Sequence, residues 1–405
     1  MIKVGILTFN RALNFGANLQ ACSTYYFFKN KGYKPLFIDY NPEDGREEYN
    51  SFPINQVAIQ RDFQDLFDTT GLCRNSREVA SVLKQEGIKN VIVGSDAVAQ
   101  HHPLFSRIVF PSKHFISISH PASDKMFPNP FWGEFLDYVD FPVSVSLMSV
   151  SNQQSNYKQF SSKEKKAMMG YLRRLSYISV RDNWTQNMYK SISGGLLVPE
   201  ITPDPVFAFN ENVKDLPTKE DIKRRFNLPE KYILLAIRKG RSVSPAWVES
   251  FERVCSDNGY MCVGLPFPYG YSPLNIVKSK IELPLSPIDW YSIIRYSDGY
   301  VGHNMHSIVS ALHNAVPCYS FDQYGIRHFS QFVNKQSSKI FHILNTAGFP
   351  KNRNASCRII EITPKANIVF DKLMSFDKEH CRQFAEEYYK KYLRMMETIE
   401  SNFII

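Results

Sequence analysis

The stretch Ser297-Asp-Gly-Tyr-Val-Gly-His-Asn-Met-His-Ser-Ile-Val-Ser-Ala-Leu-His-Asn-Ala-Val-Pro-Cys-Tyr-Ser-Phe-Asp-Gln-Tyr-Gly325 decides how this chain is read. It has the pattern of a strand end, a polar loop, a short buried helix and a second strand. His303 and His306 fall where the first strand stops and the helix starts. In open α/β sheets ligands collect at the carboxyl ends of strands, and helix N-termini favour anions. A polar turn carrying histidines at that junction is therefore a site candidate.

The same alternation extends in both directions. Residues 2–8 read as a buried strand, and Ala17, Ala21, Thr24, Tyr25 and Phe28 share one helical face that Gly32 brings to an end. Residues 35–39 make the next strand, which leaves the loop 9–16 above the carboxyl end of the first. Residues 90–93 are a strand running into a polar turn at Gly94, Ser95 and Asp96. Residues 141–148 and 177–180 are strands flanking a helix marked by Met168, Tyr171, Leu172 and Leu175. The periodicity fades over 194–217, where Pro199, Pro203, Pro205 and Pro217 suggest a connection between domains. It resumes with a strand at 232–237, a helix opened by Ser244-Pro245, a strand at 260–265 and a helix opened by Ser286-Pro287.

A chain of 405 residues exceeds a comfortable single core. The expectation is an α/β protein with two Rossmann-like, doubly wound domains facing a cleft: residues 1–205, residues 206–375, and a C-terminal helix at 376–405 packing back on the body. On that helix Phe384, Tyr388, Tyr392, Met395 and Ile399 share a face. That face either packs on the protein or, with Lys390, Lys391 and Arg394, makes a peripheral membrane contact.

Composition narrows the function classes. The net charge of +9 is spread among acidic residues with no Lys/Arg block, which favours small phosphorylated or carboxylated ligands, or an anionic membrane surface, over nucleic acid. No apolar run is long enough to span a bilayer, and the opening Met-Ile-Lys-Val-Gly-Ile-Leu-Thr reads as a core strand, so a cytoplasmic protein is expected, with the inner face of the cell membrane open to it. The seven cysteines (22, 73, 255, 262, 318, 357 and 381) include no CxxC, and Cys22, Cys255, Cys262 and Cys318 sit in apolar surroundings, as reduced core thiols do. No metal is expected: His303 and His306 have suitable spacing, but no further ligand cluster surrounds them.

Several side chains carry candidate chemistry. Arg11, Asn14, Asn18 and Gln20 lie near a helix N-terminus and suit hydroxyls and anions, although the same groups serve equally well as caps. Asp39 ends the second strand as a ribose-binding acid would, but the GxGxxG of a nicotinamide site is missing. Arg181 ends a strand and can grip a carboxylate or phosphate through two donors, with Asp182 capping the following helix. Asp96 and Asp204 either face the cleft or hold turns. His306 is well placed for proton transfer, whereas His313 and His328 read as structural.

Taken together, these motifs resemble the polysaccharide pyruvyl transferase family. Gly5 to Gln20 is similar to that family's first strand and loop, and Val93-Gly-Ser-Asp96, Ser179-Val-Arg-Asp182, Pro203-Asp-Pro205 and Val301-Gly-His-Asn-Met-His306 follow in its order. The resemblance covers residues 1–330 and implies a GT-B-like pair of domains with the site between them. It further implies transfer of a pyruvyl group from phosphoenolpyruvate (PEP), as co-substrate and without other cofactor, to a sugar of a surface polysaccharide or its lipid-diphosphate-linked precursor. The product would be a cyclic ketal, with release of phosphate. On this resemblance Arg181, His303, Asn304, Ser307 and Arg238 bind the donor, His306, Asp96 and Asp204 serve catalysis, and Arg11, Asn14, Asn18 and Gln20 meet the acceptor. Many relatives carry Arg where this chain has Asn304, so Arg238, Lys239 or Arg241 is expected to replace that cation. Relatives often continue Gln-Val-Trp-Asn after Asp96, where Ala97-Val-Ala-Gln100 stands here. A sugar-nucleotide glycosyltransferase and a non-catalytic glycan-assembly protein are the alternatives.

Overall fold

The computed structural model describes residues 1–45, 53–112, 115–153, 155–237, 243–267, 277–328, 332–355 and 363–405. Two six-stranded sheets organise it, and every strand pairing within them is parallel. The first contains β1 (Lys3–Leu7), β2 (Lys34–Phe37), β3 (Asn90–Asp96), β4 (Ser144–Val150), β5 (Tyr177–Val180) and β6 (Glu200–Ile201), in the order β2-β1-β3-β4-β5-β6. The second contains β7 (Tyr232–Ala236), β8 (Met261–Gly264), β9 (Ser279–Lys280), β10 (Gly299–Gly302), β11 (Cys318–Asp322) and β12 (Arg353–Ala355), in the order β9-β8-β7-β10-β11-β12. Strands buried on both faces read as near-continuous apolar runs, which is why β1, β3 and β7 were conspicuous in the sequence. In each sheet the order reverses once: between β1 and β3 in the first, and between β7 and β10 in the second. Crevices at such reversals receive ligands in doubly wound folds.

Helix α1 (Phe15–Asn30) joins the two halves. Thirteen of its sixteen residues are buried, so it has no solvent face of the usual amphipathic kind. Phe15 packs against Trp290 from the second half, with ring centroids 5.6 Å apart. Ser23 donates to the Pro205 carbonyl at 2.7 Å.

Two local differences from the sequence reading have clear causes. The polar turn expected after residue 93 is still strand, because β3 stays paired with β4 as far as Asp96 opposite Val150. The expected strand at 141–148 starts only at Ser144, past Pro142, which has no amide hydrogen to donate. The proline-rich connection is also no open linker. Val206, Phe207, Ala208 and Phe209 are fully buried against α1 and the C-terminal helix α6 (Lys378–Ser401). On α6, Cys381, Phe384, Tyr392, Met395 and Ile399 face inward, and Tyr392 meets Phe27 edge-on. Past its end, Ile404 exchanges two hydrogen bonds with the Asn90 side chain. Lys390 and Arg394 are exposed and Lys391 pairs with Glu200 at 3.5 Å. No helix among the described residues is long and apolar enough to cross a membrane.

Candidate active site

The first half brings Asp96, Arg181 and Asp204 together at strand ends. Gly94 permits the approach of β3 to β4: at a φ of 108°, a side-chain carbon there would lie 2.6 Å from the Met148 carbonyl oxygen. Asp96 itself has a φ of 95°, a backbone position that side chains other than glycine adopt at a cost. Arg181 follows β5, and the next residue, Asp182, caps α3 (Asn183–Ile192) by accepting from the Thr185 amide at 2.8 Å. The Arg181 side chain is buried. Its Nη1 donates to Asp204 Oδ2 at 2.7 Å, and its Nη2 lies 3.8 Å from Asp96 Oδ1. Asp204, between two prolines, also accepts from Gln20 Nε2 at 2.6 Å and from the Val206 amide at 3.0 Å.

The second half supplies an imidazole and an ammonium. Asn304 caps α4 (Met305–His313), its side chain accepting from the Ser307 amide at 3.0 Å. One residue into that helix, His306 lies against Gly16 of α1, where any side chain would overlap the imidazole. Helix α5 (Lys339–Thr346) is capped by Ser338, and Lys339 at its start is 5% exposed. Lys339 Nζ donates across to Gln153 Oε1, just past β4, at 2.7 Å. Its ammonium is thus held by both halves.

The electrostatics follow from burial and from these neighbours. Burial alone would raise the Asp96 carboxyl, yet Arg181, His306 and Lys339 together hold it below the usual carboxylate range. Arg181 is kept protonated: Asp204, Asp96 and Asp182 outweigh the cost of burying it. Burial lowers the His306 imidazole, with Arg181 and Lys339 adding to the effect and Asp204 and Asp96 opposing it, so it is neutral at pH 7. Burial and the Arg181 charge bring Lys339 down to about 8. Among the described residues, the buried nitrogens Arg181 Nε, Arg181 Nη2 and His306 Nε2 at this centre lack a hydrogen-bond partner. Buried donors seldom stay unpaired, so an acceptor-rich ligand fits here better than an empty site. The space enclosed by Arg181, Asp204, Met305, Lys339 and His342 is only about 10 Å³, room for about one water.

The other sequence candidates are dispersed. Arg11 forms a bidentate ion pair with Asp39. Asn14 caps α1, accepting from the Gly16 and Ala17 amides. Asn18 accepts from Gln60 and donates to the Asn10 carbonyl at 3.4 Å. Of the four loop candidates, Gln20 alone reaches the Arg181 centre. His303 packs against Phe321, with centroids 6.1 Å apart, and Ser307 is buried beside the Asn304 cap. Arg238, Lys239 and Arg241 lie outside the described residues. The His313 side chain is 4% exposed, and burial takes its imidazole down to about 3. Among the described residues no group of three or more His, Cys, Asp or Glu is arranged to hold a metal ion. Sequence reasoning misses Lys339, whose one signal is a cation between the cap Ser338 and the mostly apolar stretch Ile340-Phe-His-Ile-Leu344.

The model of the family described as polysaccharide pyruvyl transferase matches residues 14–323, the segment that holds Gly16, Asp96, Arg181, Asp204 and His306. The chain belongs to that family. Lys339 lies beyond the matched segment. Among solved structures, the chain is similar to UDP-GlcNAc 2-epimerase from Neisseria meningitidis bound to UDP-GlcNAc, at 10% identity and a TM-score of 0.54, covering 99% of this chain and 100% of that one. UDP-N-acetylglucosamine 2-epimerase from Rickettsia bellii gives 11% identity and a TM-score of 0.52, covering 99% and 98%. The glycotransferase of kitacinnamycin gives 10% and 0.50, covering 99% of each chain. At such identities the likeness is one of fold, and it makes this family member a GT-B-type α/β protein. No curated protein matches the sequence.

Proposed function

We propose that this family member moves the pyruvyl group of PEP onto a sugar of a surface polysaccharide or its lipid-linked precursor, forming a cyclic ketal and releasing phosphate. The observation that carries the reading is the set of buried nitrogens on Arg181 and His306 without a partner among the described residues, beside the Lys339 ammonium and the start of α4. Asp96, Asp182 and Asp204 offset the local positive charge, so anion binding rests on directed donors and the helix terminus more than on net charge. Arg181 takes the carboxylate or phosphate of PEP through Nε and Nη2, and Asp204 holds the guanidinium in place. Lys339 supplies the cation that Asn304 does not.

The reaction needs one proton delivered to the methylene carbon of PEP, which makes the adjacent enol-ether carbon electrophilic. A sugar hydroxyl then adds to that carbon and loses its proton. The carbon–oxygen bond to phosphate breaks with its electron pair leaving on phosphate, and the second hydroxyl adds in turn. Of the two hydroxyl protons, one replaces that given to the methylene and the other leaves with phosphate. His306 takes up a proton as the anionic donor arrives and passes it to the methylene, while ionised Asp96 accepts from the attacking hydroxyl.

The test is thermal stabilisation of the purified protein by PEP beside UDP, on wild type and His306→Ala. PEP at a hundred times its dissociation constant adds about 2.7 kcal/mol to wild type. A shift with UDP and none with PEP would replace this reading by glycosyl transfer. A PEP shift of the same size in His306→Ala removes the imidazole from donor binding.

A further inference from the structure

The start of α5 is held more firmly than a helix needs. A serine cap can find its acid close by: before α2 (Ser162–Leu172), the Ser161 hydroxyl accepts from the Glu164 amide and donates to the Glu164 carboxylate at 2.7 Å, at the exposed surface. Ser338 takes its acid from the sheet instead. Its hydroxyl accepts from the Phe341 amide at 3.1 Å and donates to Asp322 Oδ2 at 2.5 Å, across sixteen residues of chain. Asp322 ends β11, and its side chain is fully buried. It also accepts from the Tyr324 amide at 2.8 Å and from Arg353 Nε at 2.5 Å. Arg353 is the register partner of Ser320 on β12, so it shares a face of the sheet with Asp322. Its guanidinium lies over the Phe341 ring, 5.0 Å from the centroid. One carboxylate thus ties β11, β12 and the first turn of α5 together.

A buried ion pair of this kind seldom repays its desolvation in stability. What it does fix is position, and the residue after the cap is Lys339. The Lys339 ammonium sits where burial and the Arg181 charge both oppose it, while Asp96, Asp182 and Asp204 attract it. His306 faces it from α4, and His342 lies one turn along α5. An ammonium on a flexible stem turns out to water from such a place unless the backbone beneath it is held. Resting on the function proposed above, we infer that Asp322 is a positioning residue for the donor site: through Ser338 it holds the first turn of α5 so that Lys339 stays beside Arg181. It acts through the helix start and not by contact with the donor.

The experiment compares the full chain as wild type, Asp322→Asn, Ser338→Ala and Lys339→Met, by PEP titration at pH 7 and by urea denaturation over the range from about 8 to 10.5 in which Lys339 titrates. Asp322→Asn is expected to weaken PEP binding about tenfold and Ser338→Ala about threefold. Both should also lose the rise in stability with pH that a buried Lys339 produces, as Lys339→Met does. A carboxylate, a guanidinium and a serine hydroxyl do not titrate in that range, so a clamp that served the fold alone would lower stability equally at every pH and leave PEP affinity as it was. In the Lys339→Met background, Asp322→Asn should change PEP affinity by less than about twofold. Three results would overturn the inference: a wild type without the rise, a rise and a PEP affinity undiminished in both variants, or an equal loss of PEP affinity from Asp322→Asn with and without Lys339. Ser338→Ala leaves the Asp322–Arg353 pair in place and decides alone if Asp322→Asn does not fold. If PEP stabilises no form while the rise is present in wild type and lost in both variants, Asp322 keeps its hold on Lys339 and the donor reading falls instead.

Discussion

Two strand-to-helix turns, one from each sheet, meet at the centre of this molecule and do opposite things with the same local device. Each follows a central parallel strand and each helix opens on an asparagine cap, Asn14 in the first half and Asn304 in the second. One residue into α1 comes Gly16, and one residue into α4 comes His306, and the two are in contact. One turn provides a space and the other the group that fills it. Capping chemistry therefore sets where a helix begins, while the residue just inside it determines whether that end is passive or reactive. The charges divide in a similar way: Asp96 and Arg181 belong to the first half, Lys339 and His306 to the second.

The most disruptive way to break this arrangement is to remove the charge that holds the first half's turn. Arg181→Ala leaves Asp204 buried with only Gln20 and a backbone amide, and the expected loss is about 3–5 kcal/mol in urea denaturation, together with loss of PEP stabilisation. Arg181→Met combined with Asp204→Asn should recover much of the stability and none of the PEP binding. A less costly intervention tests the contact itself. Gly16→Ala sets a methyl group into the imidazole, and overpacking of this kind costs about 1–3 kcal/mol. In a His306→Ala background the same change should cost almost nothing. If the two changes add to within about 0.5 kcal/mol, the turns are not in the contact described.

Local chemistry was legible in the sequence and long-range chemistry much less so. The caps Ser244 and Ser286 stand beside the helices they start, and Arg181 and His306 could be placed at strand ends because a parallel sheet sends its strand ends to one side. Lys339 could not be placed, because its partner Gln153 is 186 residues away and neither residue belongs to a motif. The stretch 194–217 reads as a connection between domains because proline marks breaks in regular structure, whereas the burial of Val206 to Phe209 within it comes from α1 and α6, which lie far from it in sequence. Asn14 and Asn18 were read as open to either ligand or backbone, and both are engaged within the first half.

The second half's cation sharpens the contrast through pH. Lys339 stands at about 8 in the folded protein against an ordinary 10.5, so between those values the unfolded chain binds more protons than the native one. Stability should therefore rise as pH climbs from about 8 toward 10.5, and below 8 the cost of burying the ammonium stays constant. PEP affinity should move the other way, falling as pH passes through about 8 and the cation is lost. Lys339→Met should flatten both profiles in a denaturation series and a PEP titration run over the same pH range.

The smallest effects separate the two turns most directly. Asn14→Ala and Asn304→Ala each remove a side chain that accepts from the first amides of a helix, and each should cost about 1 kcal/mol of stability. A purely structural view predicts nothing further from either. In the proposed site, however, the start of α4 carries His306 and turns its unpaired amides toward the anion, whereas α1 offers only the glycine that makes room. Asn304→Ala should then weaken PEP binding several-fold beyond its effect on stability, with Asn14→Ala leaving PEP binding within about twofold of wild type. Equal losses of PEP affinity in the two variants would mean that both helix ends face the donor, and the division between a passive and a reactive turn would be lost.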